Sequence, residues 1–377
     1  MRRILLLIKG LGRGGAEQLI LSAARYLDTD RFAYEVAYLL PHKDALVPEL
    51  EAAGLPVHCL GAGATWPLRL RRLVAQRSFD LVHLHSPFAA VGARLVIGWQ
   101  GHPALVSTEH IVWGAYHPLT YWANVATFFR NRHVFAVSED VASSVRYPAP
   151  LRFLPMPPVE VLHHGLDPEM LEAWSGPNGV RDELGIPPDA PVVGTVANFK
   201  AHKGHEYLLG AALRVRDRLP DVRFVLVGQG PLEGQIRRLA HDLGLEGTVL
   251  FAGYRDDAPR VAAACDVFAL SSIHEGLSIA LIEALATGTP AVVTQAGGLR
   301  EVVEHGEQGF VVPTRDPDAL AEAILTLLHD EDLRRRFGQA GRRRAVRFDI
   351  RRAVRRWEEV YGRVLASSGD DGTSSPR

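Results

Sequence analysis

Residues 191–230 read PVVGTVANFKAHKGHEYLLGAALRVRDRLPDVRFVLVGQG. The run Val192–Ala197 is apolar and rich in β-branched residues, which predicts a buried strand. Glu206–Arg218 repeats apolar residues at helix spacing, and Arg223–Val227 is a second buried run. A strand, a helix and a strand in succession predict a parallel sheet covered by helices. The alternation continues forward through strands expected at Thr248–Ala252, Val267–Leu270, Ala291–Thr294 and Phe310–Val312, with Leu232–Leu243 among the helices between them. It also extends backward. Ile4–Ile8, Tyr34–Leu40, Leu81–Leu84, Leu105–Ser107 and Val134–Val137 read as strands, with Ala16–Leu27 as a helix between the first two.

Two breaks interrupt the pattern: the proline-rich YPAPLRFLPMP at 148–158, and GPNG at 176–179 after Trp174. Two successive doubly wound parallel sheets are therefore expected, an α/β architecture. The first domain is placed at 1–172 and the second at 173–345. From Arg342 to Leu365 the chain is basic and helical, with Val346, Ile350, Val354, Trp357, Tyr361 and Leu365 at helix spacing. A separate helix is assigned to 346–366. Residues 367–377 (SSGDDGTSSPR) are expected to be a disordered tail.

The bulk composition narrows the function classes. With 47% apolar and 23% charged residues in 377, the chain is globular, and its formal net charge of −1 gives no reason to expect a nucleic-acid partner. Cys59 and Cys265 are too far apart in sequence for a disulfide scaffold or a clustered zinc site. The opening MRRILLLIKG has too short an apolar run for a signal peptide and reads as a first strand. Residues 111–129 contain no Asp, Glu, Lys or Arg, but Gly114, His117, Pro118 and Asn124 break them as a membrane span. A cytoplasmic protein is the expectation. Among the 42 basic residues only Lys9, Lys43, Lys200 and Lys203 are lysine.

Gly10-x-Gly12-x-x-Gly15 follows the first strand and opens a helix, as in a dinucleotide fingerprint. The acidic residue that should end the second strand and hold a ribose is missing, because Glu35 opens that strand and its end reads Leu39-Leu40-Pro41. Gly12, Gly14 and Gly15 are read instead as a phosphate-facing or acceptor-facing loop. A plain strand-to-helix turn is the bland alternative.

The richest segment is Ser271–Gly298, SSIHEGLSIALIEALATGTPAVVTQAGG. Glu275 follows a strand, and Glu283 lies eight residues later inside a helix that begins near Ser278 and ends at Thr287-Gly288. Eight helical residues span about 12 Å, so the pair is spaced to grip two parts of a long ligand rather than to serve one bond as acid and base. Carboxylates suit sugar and ribose hydroxyls, and the helix N-terminus between them offers N–H groups to a phosphate. In Gly194–Gly204, Lys200 and Lys203 stand at the start of a helix, where two cations beside helix amides can neutralise a departing pyrophosphate without a metal.

The pair Glu275–x7–Glu283, Lys203-Gly204, FVLVGQGP at 224–231, FAGY at 251–254 and the GGLREVV to GFVVP run at 297–313 together resemble the retaining glycosyltransferases of family 4 (GT4). The resemblance implies the GT-B architecture, two Rossmann-like domains facing a central cleft, with the last helix crossing back to the first domain. It implies that Glu283 holds the ribose of a nucleotide diphosphate sugar, UDP- or GDP-linked, and that Glu275 holds the donor sugar. Lys203 would bind the diphosphate with the amides of Gly276, Leu277 and Ser278, and the Gly12–Gly15 loop would close on the phosphates or acceptor. His110, after Val106-Ser107-Thr108-Glu109, matches a strand-end histidine facing the donor sugar and is the expected catalytic residue of the first domain.

Two departures stand out. The family's arginine five positions before the motif lysine is Asn198 here, which makes Lys200 a candidate replacement for the lost charge, though without arginine's bidentate fork. The family's Asn-Gly-hydrophobic-Asp turn appears as His164-Gly165-Leu166-Asp167.

The implied reaction is metal-independent hexosyl transfer to a hydroxyl acceptor in glycan, polysaccharide or glycolipid synthesis. No cofactor is implied beyond the donor itself. A sugar-nucleotide epimerase or hydrolase of the same fold, an NAD-dependent oxidoreductase and a non-catalytic sugar-nucleotide binder are the alternatives. His83 and His85 alternate along a strand end, but no helical His-x-x-x-His suggests a metal. The aromatic stretch 111–129 reads as a buried helix. Its functional alternative is a lip for a lipid-linked acceptor, backed by Arg69, Arg71, Arg72 and Arg77, with peripheral contact at the inner face of a membrane.

Overall fold

Ile4, Leu5, Leu6 and Leu7 have no solvent-exposed surface, because the strand they form is covered on both faces. In the computed structural model, which describes residues 1–98, 102–167 and 179–370, the chain divides into two compact units. One comprises residues 1–165 together with the chain from Ile350 onward, and the other comprises Leu166–Asp349.

The first unit holds a seven-stranded sheet: β1 (Arg2–Ile8), β2 (Phe32–Tyr38), β3 (Val57–Cys59), β4 (Leu81–Leu84), β5 (Ala104–Glu109), β6 (His133–Ala136) and β7 (Val159–Val161). Its order is β3-β2-β1-β4-β5-β6-β7, and each neighbouring pair is parallel. The edge strands β3 and β7 are additions to the sequence reading. Each has three residues and is only partly buried, too short and too mixed to register as a periodic run.

The last helix, Ile350–Asp370, belongs to this unit. Ile350, Val354, Trp357, Tyr361 and Leu365 are buried in one core cluster with Ile4, Leu6, Val36 and Val106. Full burial of such side chains contributes about 1.5–3 kcal/mol each. Two sequence expectations need correction. Val346 is 71% exposed and lies in a link between two helices, Glu331–Ala345 and Ile350–Asp370, rather than on the apolar stripe. The final helix also passes the expected end at 366, with the Ser367 hydroxyl bonded back to the Val364 carbonyl; 371–377 lie outside the described residues. The expected boundary at 172/173 lies outside them too. The division falls earlier, where Leu166 bridges Asp349 and its N–H donates to the Phe348 carbonyl at 2.7 Å.

The second unit has β8 (Val192–Val196), β9 (Arg223–Val227), β10 (Val249–Gly253), β11 (Val267–Leu270), β12 (Ala291–Thr294) and β13 (Gly309–Val312), all parallel, in the order β10-β9-β8-β11-β12-β13. In both sheets the strand order reverses once, between β1 and β4 in the first and between β8 and β11 in the second. Open parallel sheets bind ligands beyond the carboxyl ends of the strands at such a reversal, where successive loops diverge and leave a crevice.

The uncharged stretch 111–129 divides its side chains. It forms a 3-10 turn at Trp113–Ala115 and a helix at Pro118–Thr127. Trp113, Tyr116 and Phe128 pack into a core cluster, while Leu119 (77%) and Trp122 (53%) face solvent. None of the helices searched among the described residues is long and apolar enough to cross a membrane.

Candidate active site

At the reversal point of the second sheet, the loop leaving β8 meets the loop leaving β11. Lys203 ends a 3-10 turn (Ala201–Lys203), and its Nζ lies 2.5 Å from Glu275 Oε2. Both side chains are largely covered, at 16% and 11% exposure. The Ser272 hydroxyl also donates to Glu275 Oε2, at 3.2 Å. The backbone closes the same seam: Ser271 Oγ donates to the Lys203 carbonyl, and the Ile273 N–H to the His202 carbonyl. Gly204 makes this approach feasible. Its φ is +63°, and a Cβ there would stand 2.3 Å from the Ser271 carbonyl oxygen. Two residues assigned separate tasks in the sequence are thus each other's partners in the folded chain.

Gly276 and Leu277 lead into the helix Ile279–Thr287, whose first-turn Leu281 N–H is capped by the Ser278 hydroxyl. Gly288 ends it with φ +87°. Glu283 lies within this helix, is partly buried, and makes no hydrogen bond or ion pair among the described residues. Burial alone pushes its carboxyl up to about 7. A carboxylate in this state is short of hydrogen-bond donors, which vicinal hydroxyls can supply. Asn198 is half-buried after β8, and Lys200 is exposed at the start of the 3-10 turn.

In the first unit, the glycine loop follows β1. Gly14 stands at the N-terminus of helix Gly15–Ala24 in extended conformation, and the space that a Cβ at Gly15 would occupy is open. Lys43 braces the loop from below. Its carbonyl accepts from the Leu11 N–H at 2.7 Å, and its stem lies 3.0 Å from where a Gly10 Cβ would be. Glu35 corrects the sequence reading. It sits buried in mid-strand, with its carboxylate bound by Arg3 and His58 at 2.5 Å each, so it is committed within the fold.

His110 follows β5 in a row of stacked imidazoles. Ring centroids are 4.1 Å apart for His83–His85, 5.7 Å for His85–His110 and 5.2 Å for His110–His164. Burial drives His110 down to about 4. Burial and then the neighbouring imidazoles hold His83, His85 and His164 well below the usual histidine range. These rings are neutral at pH 7, each able to donate at one nitrogen and accept at the other. Among the described residues no group of three or more His, Cys, Asp or Glu side chains is arranged to hold a metal ion.

Glu109, which the sequence did not single out, anchors the strand end before His110. Its carboxylate accepts from the Trp113 indole at 3.0 Å, from the Tyr116 hydroxyl and from Ser107, with fully buried Arg94 4.0 Å away. Ser272, Trp357 and Tyr361 were missed as well. Trp357 and Tyr361 carried a helix-period signal, but nothing in their spacing names the histidines they cover.

His110 and the Gly12–Gly15 loop lie in the first unit. Asn198, Lys200, Lys203, Glu275–Ser278 and Glu283 lie in the second. The family model for glycosyltransferase family 4 matches residues 13–170, and that for glycosyl transferases group 1 matches residues 179–344. The GDP-mannose-dependent α-(1-6)-phosphatidylinositol monomannoside mannosyltransferase of Mycobacterium tuberculosis is 31% identical over 306 residues, 74% of each chain. A lipopolysaccharide core biosynthesis glycosyltransferase, LpsE of Rhizobium meliloti, is 37% identical over 187 residues, 50% of this chain and 53% of its own. Among solved structures, Anabaena HepE in complex with UDP and glucose is 25% identical with a TM-score of 0.83, covering 96% of this chain and all of that one.

Proposed function

The chain belongs to glycosyltransferase family 4 and has the GT-B fold of two Rossmann-like domains, and from that premise we propose a retaining, metal-independent enzyme that transfers a sugar from UDP- or GDP-sugar to a hydroxyl acceptor. The observation that carries the reading is Glu283, an unpartnered carboxylate on a helix that opens at the reversal point of the second sheet. Its lack of donors suits a ribose diol.

Lys203 and the Gly276–Ser278 amides supply positive charge to the diphosphate. Lys203 leaves Glu275 for the diphosphate as the donor binds, which frees the Glu275 carboxylate for the sugar hydroxyls. Lys200 stands in for the charge missing at Asn198. His110 serves the donor sugar, and Gly12, Gly14 and Gly15 serve the phosphates or acceptor. The acceptor oxygen attacks the anomeric carbon on the face the diphosphate leaves, and the departing phosphate oxygen takes the proton. HepE was crystallised with UDP and the mycobacterial relative is named for GDP-mannose, so both bases are carried forward.

A lipid-linked acceptor is the finer reading of the partner. Leu68, Leu119, Trp122 and Phe129 are exposed on the first unit, as are Arg69, Arg71, Arg72 and Arg77. Such residues suit peripheral contact at the inner face of a membrane.

Thermal shift with UDP and GDP, followed by assays for slow hydrolysis of their sugars, tests the reading. One nucleotide should stabilise the protein, and Glu283→Ala and Lys203→Ala should each abolish that shift in a folded chain. Stabilisation persisting in both variants overturns the site.

A further inference from the structure

We propose that Ser272, backed by Thr294, is a positioning residue for the donor sugar, holding the Glu275 carboxylate in place when Lys203 moves to the diphosphate. The inference rests on the transferase reading, in which Glu275 meets the sugar hydroxyls.

Two adjacent serines follow β11, and the fold uses them differently. The Ser271 hydroxyl donates to a backbone acceptor, the Lys203 carbonyl, at 3.1 Å. Ser272 has no exposed surface, and its hydroxyl donates to a charged side chain, at Glu275 Oε2. Lys203 Nζ reaches the same oxygen. Both contacts therefore fall on Oε2, one from a cation and one from a neutral hydroxyl.

The segment between Ser272 and Glu275 is also tied to the chain beyond β12. Thr294 closes that strand and is 2% exposed; its Oγ1 donates to the Ser272 carbonyl at 2.5 Å. The Gly298 N–H donates to the Glu275 carbonyl at 3.2 Å. These two bonds stand apart from the seam with the β8 loop, so they survive any shift of the Lys203 side chain.

The two contacts on Oε2 are not equivalent. The ammonium sits on a long stem, and a diphosphate carries more negative charge than one carboxylate and draws it away. A glutamate released in this way regains its rotamers, and ordering it again costs affinity when the sugar binds. The Ser272 hydroxyl is buried and held through its own backbone, so it stays. A bond kept at one carboxylate oxygen leaves the other oxygen to accept from sugar hydroxyls. Because the bond ends on the carboxylate that meets the sugar, its loss is felt by the sugar and not by the nucleotide.

The experiment compares full-length wild type, Ser272→Ala, Ser272→Cys and Thr294→Val. Isothermal titration gives Kd for UDP, GDP, UDP-glucose and GDP-mannose, and slow hydrolysis of the two sugar nucleotides gives a rate. Ser272→Ala should leave the nucleotide Kd within about twofold while sugar-nucleotide binding and hydrolysis fall about tenfold or more, the usual weight of a hydrogen bond to a charged group. Ser272→Cys keeps a weak donor and should recover part of the loss. Thr294→Val should act in the same direction by a smaller factor, and it decides the matter if Ser272→Ala does not fold. Equal losses for nucleotide and sugar nucleotide would mark a purely structural serine and overturn the proposal, as would no change in either. If wild type binds a nucleotide and gains nothing from either sugar, the positioning role fails and the nucleotide site stands. If wild type binds no nucleotide, the transferase reading fails and takes this inference with it.

Discussion

Replacing Glu283 with glutamine should make the ligand-free protein more stable and its nucleotide site worse. Burial raises the carboxyl from the ordinary 4.5 to about 7, with no charged partner contributing. At about 1.4 kcal/mol per tenfold step, holding this carboxylate ionised in the folded state costs at most about 3 kcal/mol. Its partial exposure reduces that to about 2–3 kcal/mol. The sign follows from the folded form binding the proton more tightly. The carboxyl's stability contribution is intact below about 4.5 and is lost as pH rises to about 7. Glutamine never ionises, so the variant's advantage should be near zero at pH 4.5 and complete by pH 8. For a unit of 150–250 residues each kcal/mol moves Tm by about 2–4 °C, which gives roughly 5–10 °C at pH 8. Differential scanning calorimetry of both proteins across pH 4.5–8 measures it. Saturating UDP or GDP at a hundred times Kd should then stabilise the wild type by about 2.7 kcal/mol and the variant much less, because an amide donates toward ribose hydroxyls where a carboxylate only accepts. A Tm difference that does not change with pH, or equal nucleotide stabilisation of both proteins, would refute the reasoning.

Gly204→Ala should destabilise the second unit by about 2 kcal/mol or more, combining left-handed backbone strain of about 1–2 kcal/mol with a Cβ 2.3 Å from the Ser271 carbonyl oxygen. Donor turnover should fall with it, since the displaced loop carries Lys203; an unchanged urea midpoint would rule out this account of the seam. The first unit should lose stability as pH falls from about 6.5 toward 4, because His83, His85, His110 and His164 resist protonation when folded and accept it when unfolded. His85→Phe should flatten that slope by about 1.4 kcal/mol per pH unit in near-UV circular dichroism melts, and an unaltered slope contradicts it.

The parallel sheets were legible because a strand covered on both faces must be apolar throughout, and Ile4–Leu7 or Val267–Leu270 can be read as little else. Strands β3 and β7 were not legible, since a three-residue edge strand with one polar member carries no period. The site divided along the same line. Glu275, Glu283 and Lys203 stood out through local spacing and helix signals, whereas the bond between Lys203 and Glu275 joins residues 72 positions apart and depends on Gly204 approaching Ser271.

The four lysines show why such partners escape a one-dimensional reading. Lys203 pairs with Glu275, and Lys200 stays exposed beside it. Lys9 and Lys43 had no role suggested by sequence, yet both shape the turn after β1. The Lys9 carbonyl accepts from the N–H groups of Leu39 and Leu40 at the end of β2, and its ammonium lies over Phe88. Lys43 lays its stem over Gly10 and ties down Leu11. All four lysines therefore lie near the carboxyl ends of strands flanking a strand-order reversal, two in each unit. Arginine's longer planar head would have to repack in the space beside Gly10 and against Glu275, where a slender stem and a point charge already fit. Lysine thus occupies two packed places, beside Gly10 and against Glu275, while the ammonium groups of Lys9 and Lys200 remain exposed.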